Sequence, residues 1–290
     1  MMRIAVISGK GGTGKTMLTA GLADIMPAPL ALADCDVDAS NLELLLAPTL
    51  IEKEDFFGMK AAQIDQLLCL SCGNCRERCR FSSVVVQDGE YRIDPLRCEG
   101  CALCTVICPA QAVSMQPRKT GELYYSDTAR GHLAHARLLP GAGNSGLLVH
   151  EVKKRILQRD GDCQILLVDG PPGIGCPLTS TVSGMNAVII VTEPSVSGQH
   201  DLKRVITVCR RLRVDIYVVI NRFDLDPGMT DAIKAYCRAE KIPVAGEIPF
   251  DETVIAAVRN NEPVTRYQCA ASEAIHRIWS YLKQEWKIQP

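Results

Sequence analysis

The chain has 290 residues, 47% of them hydrophobic and only 5% aromatic, with a formal net charge of -1. That length and apolar content support one large domain, or a domain with a small insertion, and the low aromatic share suits a parallel sheet rich in Val, Ile, Leu and Ala. The near-zero charge leaves no nucleic-acid footprint, no window is apolar for long enough to span a membrane, and the first residues already read as a strand, so a cytoplasmic chain without a leader is expected.

The opening strand, Ile4-Ala5-Val6-Ile7, leads directly into Ser8-Gly9-Lys10-Gly11-Gly12-Thr13-Gly14-Lys15-Thr16. Its last eight residues fit G-x-x-x-x-G-K-[ST], the phosphate loop. A loop that wraps a polyphosphate turns its amides inward, and glycines permit the backbone angles this needs. Lys15 is then expected to reach the β- and γ-phosphates and Thr16 to hold Mg2+. Met17 to Ile25 reads as a helix whose positive end faces the anion. Lys10, early in the loop, completes Lys-Gly-Gly-x-Gly-Lys-Thr, which resembles the deviant Walker A loop of the MinD/ParA-type ATPases. The resemblance implies ATP/ADP binding through Gly9, Lys10, Gly11, Gly12, Thr13, Gly14, Lys15 and Thr16. It also implies a homodimer on ATP binding, in which Lys10 crosses to the partner's nucleotide.

Ala28 to Ala33 reads as a second strand, ending in Asp34-Cys35-Asp36-Val37-Asp38-Ala39-Ser40-Asn41. Acids just past a strand's carboxyl end lie where open α/β sheets bind ligands. By the same resemblance Asp34 helps to hold Mg2+ through water and Asp36 positions or activates the attacking water; Asp38 has no counterpart. Leu42 to Ala47 continues as a short helix, and Pro48 to Lys60 has no clear period and reads as a junction.

Fourteen cysteines are too many for a reduced chain to carry without purpose, and eight lie between Cys69 and Cys108, which points to metal rather than disulfides. Cys69-x-x-Cys72-x-x-Cys75-x-x-x-Cys79 recurs 29 residues later as Cys98-x-x-Cys101-x-x-Cys104-x-x-x-Cys108-Pro109. Ile64 and Ile93, and Val84 and Val113, share that offset, so the segment is an internal repeat of a strand, cluster loop, helix and strand. The spacing resembles that of bacterial two-cluster ferredoxins, in which the fourth cysteine ligates the other cluster. On that resemblance one 4Fe-4S cluster takes Cys69, Cys72, Cys75 and Cys108, and the other takes Cys98, Cys101, Cys104 and Cys79. Zinc is the competing metal, but it does not explain three cysteines in close spacing with a fourth further on. Two oxidised clusters would lower the working charge to about -5. Arg80 stands where the first half should carry the proline found at Pro109, which predicts a more exposed or differently tuned cluster at Cys79.

Pro117 marks the return from the insert, Leu123-Tyr124-Tyr125 reads as an edge strand, and Gly131 to Asn144 resists assignment, with His132 and His135 read as loop or surface residues. A helix is expected from Leu147 to Gln158, with Lys153 and its neighbours mostly solvated. Gln164 to Asp169 is a buried strand ending in the Walker B acid, so Asp169 faces Mg2+. Gly170-Pro171-Pro172-Gly173 then forms a stiff turn of switch-loop type, similar to one in Mrp-type ATPases. Cys176, beyond it, reads as a small buried cysteine, with a cluster or thiolate role at a dimer face as the sharper alternative suggested by the nitrogenase iron protein. Strand and helix then alternate over 187–192, 198–212, 214–221, 229–240 and 244–248. By resemblance Thr192 to Ser195 faces the dimer, Asn221 reads the adenine base, and the loop around Pro249 lies near that base. The stripe Ile275, Ile278, Trp279 and Leu282 of a last helix, Ser272 to Trp286, is expected to pack on the sheet rather than on a membrane.

The fold class expected is α/β, a P-loop NTPase with a mostly parallel sheet flanked by helices, carrying an inserted α+β ferredoxin-like domain for two 4Fe-4S clusters. The ATPase domain would occupy 1–60 and 117–290, and the insert 61–116. Together they resemble a MinD-superfamily ATPase with a ferredoxin insert. That resemblance implies a slow, partner-stimulated ATPase using ATP/ADP and Mg2+, a dimeric switch coupling nucleotide state to electron transfer toward a redox or metal-cofactor protein. The alternative is an ATPase for assembly or delivery of an iron-sulfur or other metal cofactor. A partitioning switch on DNA ranks behind both, since nothing basic is clustered.

Overall fold

A computed structural model describes residues 1–288, which divide into two compact units: Met1–Lys53, Leu123–Arg137 and the chain from Ser145 onward, and Glu54–Glu122 with Leu138–Asn144. In chain order, β1 (Met2–Ser8), α1 (Lys15–Ile25), β2 (Leu30–Asp34), α2 (Leu42–Leu46) and β3 (Thr49–Phe56) come first. The second unit is built from β4 (Met59–Ile64), α3 (Asn74–Arg78), β5 (Val84–Gln87), β6 (Glu90–Ile93), α4 (Leu103–Ile107) and β7 (Val113–Arg118). The hairpin β8 (Gly121–Thr128) and β9 (Gly131–Leu138) precedes α5 (Ser145–Arg159), β10 (Ile165–Pro172), α6 (Cys176–Val182), β11 (Ala187–Thr192) and α7 (Val196–Arg211). The chain closes with β12 (Asp215–Asn221), α8 (Pro227–Ala239), β13 (Val244–Ile248), α9 (Glu252–Arg259) and α10 (Ala270–Glu285).

Nine strands form one sheet in the order β13-β12-β11-β1-β10-β2-β9-β8-β3. Each neighbouring pair from β13 to β9 is parallel. A parallel sheet is covered on both faces, so its inner strands read as unbroken apolar runs. Ile4 to Ile7 and Ile165 to Val168 are accordingly buried. The Ile275, Ile278, Trp279 and Leu282 stripe of α10 joins this core, and α10 lies so close to β13 that a Cβ on Gly246 would sit 2.4 Å from Cγ1 of Ile278. Truncating Leu282 to Ala should cost about 2–5 kcal/mol. Among the described residues no helix is long and apolar enough to cross a membrane.

Several expectations need correction. Residues 48–60 hold a strand, β3, and the start of another. Most β3 side chains are exposed, because β3 is the sheet's edge and its run of charges, Glu52 to Asp55, suits that place. Residues 131–138 form β9, paired with β2 from Gly131 to His135. His135 points into the core, 3% exposed, and His132 pairs with Asp160 at 2.6 Å, so neither is a loop residue. Lys153 is buried: its Nζ donates to the carbonyls of Ser180, Thr181 and Ser183 at 2.7, 2.9 and 2.6 Å and so holds the end of α6. Cys176 is exposed rather than buried. The turn expected at 170–173 begins as strand, since β10 continues to Pro172.

In the second unit, β4 pairs antiparallel with β7 and β5 with β6, placing Ile64 opposite Val113 and Val84 opposite Ile93. The first strand of each half of the repeat thus pairs with the last strand of the other. Pairing runs from Met59 to Arg118, beyond the 61–116 limits drawn from the cysteines. Its small core contains Ala61, Ala62, Ile64, Val84, Cys98 and Val113.

Candidate functional site

At the carboxyl ends of β1 and β12, residues 9–16 bend around an open cavity of about 700 Å3. That volume suits a small-molecule ligand. Gly14 has φ +95, and a Cβ there would lie 2.3 Å from Nδ2 of Asn221, so both its conformation and its neighbour require glycine. Nδ2 of Asn221 donates to the Thr13 carbonyl at 2.8 Å. Asn221 therefore braces the loop with the amide expected to read a base. The Thr13 hydroxyl is buried and, among the described residues, has no partner. A buried hydroxyl left unmatched beside a cavity fits a loop that a ligand completes.

Lys15 is 7% exposed and its Nζ stands 3.4 Å from Oδ2 of Asp36. Burial raises the carboxyl of Asp36 above its usual range, and Lys15 opposes that rise. Thr16 donates to Oδ2 of Asp169 at 2.6 Å and Thr19 to Oδ1 at 2.9 Å. Asp169 is fully buried, and that burial pushes its carboxyl up against the pull of Lys15 and the two threonines. These contacts bring the side chains of Thr16 and Asp169, and of Lys15 and Asp36, together at the end of the loop. Asp34 differs in what its side chain does. Its Oδ2 accepts from Ser40 Oγ at 2.8 Å and from the Asn41 and Leu42 amides at 3.1 Å each, and its Oδ1 accepts from the Asp36 amide at 3.0 Å. Asp34 thus shapes the turn that presents Asp36 and starts α2. Burial, with the nearby Asp169, pushes its carboxyl up to about 7.

Lys10 does not point at the cavity of its own chain. Its Nζ lies 2.6 Å from Oε1 of Glu193 and 3.0 Å from the Ser197 hydroxyl. Gly9 packs where a Cβ would meet that of Asp201 at 2.4 Å, so α7 lies tightly against the start of the loop. The far wall of the cavity comes from Arg222, Pro249, Phe250, Val254, Ile255 and Val258. The last three belong to α9, which the sequence reading missed. Its signal is present: Asp251 caps the helix through the Thr253 amide at 2.9 Å, and apolar residues follow at helical spacing.

The eight clustered cysteines surround two pockets in the second unit. Cys69, Cys72, Cys75 and Cys108 line one. Cys79, Cys98, Cys101 and Cys104 line the other, which Cys75 also touches. Each pocket draws three close cysteines from one half of the repeat and the fourth from the other half. All fourteen cysteines of the chain are unbridged. Among the described residues no group of three or more His, Cys, Asp or Glu closes on a single-ion site. Four thiols around an apolar pocket form a donor set that fits an iron-sulfur cluster. Backbone amides already point at the sulfurs: Ala112 N-H to Cys108 at 3.3 Å, Ser83 N-H to Cys79 at 3.4 Å and Ala62 N-H to Cys98 at 3.4 Å. Burial pushes the Cys79 thiol up, but the Ser83 hydroxyl and amide outweigh it and hold the thiol below its usual range.

Comparison with known proteins places the fold. An uncharacterized protein of Methanocaldococcus jannaschii is 29% identical over 288 residues, covering 98% of this chain and 97% of that protein. A cytosolic Fe-S cluster assembly factor Nubp1 homolog of Drosophila grimshawi is 27% identical over 141 residues, 41% of this chain and 45% of that one. The septum site-determining protein MinD of Pyrococcus horikoshii, solved with Mg-ADP, superposes with a TM-score of 0.62 at 18% identity, over 98% of this chain and 97% of its own. The nine-stranded, mostly parallel sheet flanked by helices is thus an α/β P-loop NTPase fold. The domain described as CbiA, the CobQ/CobB/MinD/ParA nucleotide binding domain, matches residues 4–264, and this chain belongs to that nucleotide-binding family.

Proposed function

We propose that the protein is an ATP-hydrolysing, dimer-forming switch that couples nucleotide state to electron transfer through two 4Fe-4S clusters. One observation carries the redox half of this reading: each of the two pockets is lined by one full set of four cysteines. Cys69, Cys72, Cys75 and Cys108 would hold one cluster, and Cys79, Cys98, Cys101 and Cys104 the other; the clusters would supply one-electron chemistry. Complete ligation from the chain itself favours resident clusters over transferable ones. The domain limits proposed for this module are those of the strand pairing, 59–118.

In the nucleotide half, loop amides and Lys15 would neutralise the ATP phosphates, Thr16 and Asp169 would hold Mg2+, and Asp36 would orient the attacking water. Asp34 serves that arrangement by fixing the turn on which Asp36 sits. Phe250, Ile255 and Val258 offer the apolar wall that a purine needs, with Pro249 beside them. Lys10 would leave Glu193 and reach the nucleotide of a second copy, and the partner receiving electrons would be a redox or metal-cofactor protein. A second reading, assembly or delivery of a metal cofactor, is favoured by the partial likeness to the Nubp1 homolog.

Anaerobic purification should yield about eight iron and about eight acid-labile sulfide per chain. A zinc-only product would sink the cluster reading. Reduction potentials that move when ATP is added, with the clusters retained, would support the electron-transfer switch. ATP-dependent loss of a cluster to an apo-acceptor would favour assembly instead.

A further inference from the structure

The two halves of the cysteine repeat superimpose in their hydrogen bonds as well as in their spacing. Ser83 and Ala112 occupy the same place, each four residues beyond the last cysteine of its half. Each gives its amide to that cysteine: Ser83 N-H to Cys79 at 3.4 Å, Ala112 N-H to Cys108 at 3.3 Å. Each accepts at its carbonyl from an aspartate amide at 2.7 Å, Ser83 from Asp94 and Ala112 from Asp65. A side chain breaks this symmetry at the matched position itself. The Ser83 hydroxyl lies 3.2 Å from Sγ of Cys79, where Ala112 has no polar atom to offer Cys108.

A cysteine bound to iron is a thiolate and carries no proton, so in a loaded chain the Ser83 hydroxyl must be the donor. Ser83 is only 4% exposed, and little water competes for that hydroxyl. A second donor reinforces the bias: the Ala62 amide reaches Sγ of Cys98 at 3.4 Å, while among the described residues no equivalent bond reaches Cys69. The pocket completed by Cys79 is also lined by Arg78, Arg80 and Glu99, a net positive set, whereas no charged side chain lines the pocket completed by Cys108. Hydrogen bonds and positive charge at thiolate sulfur stabilise the reduced, more negative form of a cluster more than the oxidised one, which raises its potential.

We propose that the two pockets hold their clusters at different reduction potentials, the higher in the pocket of Cys79, Cys98, Cys101 and Cys104, with Ser83 as the residue that sets the difference. This rests on the two-cluster reading above. Ser83 is a positioning residue: it touches a ligand, not a substrate. In a chain carrying a single electron, that electron resides on the cluster beside Ser83, and the other cluster is the stronger reductant once both are filled. Arg80, in place of proline, belongs to the same device because it is among the residues that line the higher-potential pocket.

The repeat supplies its own control, because Ala112 shows that alanine fits this position without disturbing the backbone bonds. The test is a potentiometric titration of the full-length, cluster-loaded protein with dithionite as reductant, followed by electron paramagnetic resonance. Wild type should give two separate one-electron waves. Ser83→Ala should move the upper wave to more negative potential and leave the lower in place, while Ala112→Ser should move the lower wave up. Iron and sulfide content should be unchanged in both variants. Two waves that stay put, or shift equally, in cluster-replete Ser83→Ala would overturn the assignment to Ser83. Failure of the chain to hold iron and sulfide at all would instead overturn the two-cluster reading on which it rests.

Discussion

The contact between Lys10 and Glu193 makes a measurable demand on dimer formation. If Lys10 serves a second subunit's nucleotide, each chain must first release it from Oε1 of Glu193, 2.6 Å away, and from the Ser197 hydroxyl at 3.0 Å. The two side chains are 30% and 21% exposed, so the pair is screened by water and worth at most about 1 kcal/mol. A dimer releases two such pairs, so the cost in association is about 2 kcal/mol, roughly thirtyfold in the dimer constant. Glu193→Gln keeps the size and an accepting oxygen but removes the charge. It should therefore tighten ATP-dependent dimerisation, by up to about thirtyfold, when measured by sedimentation velocity with Mg-ATP at low salt. The gap between wild type and variant should narrow as salt rises. An unchanged dimer constant, or a weaker dimer, would refute the idea that Glu193 restrains Lys10. Lys10→Ala should impair dimerisation in either variant while nucleotide binding to the isolated chain persists.

Lys15→Ala should abolish ATP hydrolysis and leave visible iron-sulfur absorption intact, assayed by phosphate release and by spectrum; loss of both would mean that the two units depend on each other to fold. Lys153→Met removes a charged donor from three carbonyls at the end of α6 and should lower stability by about 1.5–3 kcal/mol in urea unfolding, with no change if those bonds are idle. Burial holds His135 below the usual imidazole range, with Arg137 adding to that and Glu43 opposing it. A depressed histidine supports the fold fully above its unfolded pKa of about 6.5 and loses that support as pH falls below it. Tm should therefore fall from pH 7.5 to pH 5.5 and fall less in His135→Phe, which keeps a ring stacked on Tyr124; equal slopes would exclude His135 as a cause.

What the chain reveals locally is governed by how many neighbours decide a residue's state. The inner strands β1, β10 and β11 are buried on both faces, so their identity is written in unbroken apolar runs. β9 is equally inward, yet its buried positions are Leu133, Ala134, His135 and Ala136, and neither small residues nor a histidine announces a core strand. β3 fails for the opposite reason. As an edge its side chains are exposed, and its place is fixed by hydrogen bonds to β8 that leave no hydrophobic period. Lys153 looked solvated because helix spacing alone cannot show that three carbonyl oxygens wait at the end of another helix.

The same distinction separates the parts of the two candidate sites. Gly9 to Thr16 form a contiguous loop whose chemistry is carried by its own backbone, so the spacing suffices. Asp34 and Asn221 share the neighbourhood but spend their polar atoms on the protein, one on the turn before α2 and the other on the Thr13 carbonyl. A linear motif does not show that such groups also bond the protein around them. The cysteines are legible for a further reason: a repeat compares a chain with itself. The shared spacing marks the pockets, and the polar mismatch of Ser83 against Ala112 marks one place where the pockets cease to be equivalent. Such a mismatch is informative because the backbone bonds on both sides of it are matched, leaving the hydroxyl as the variable.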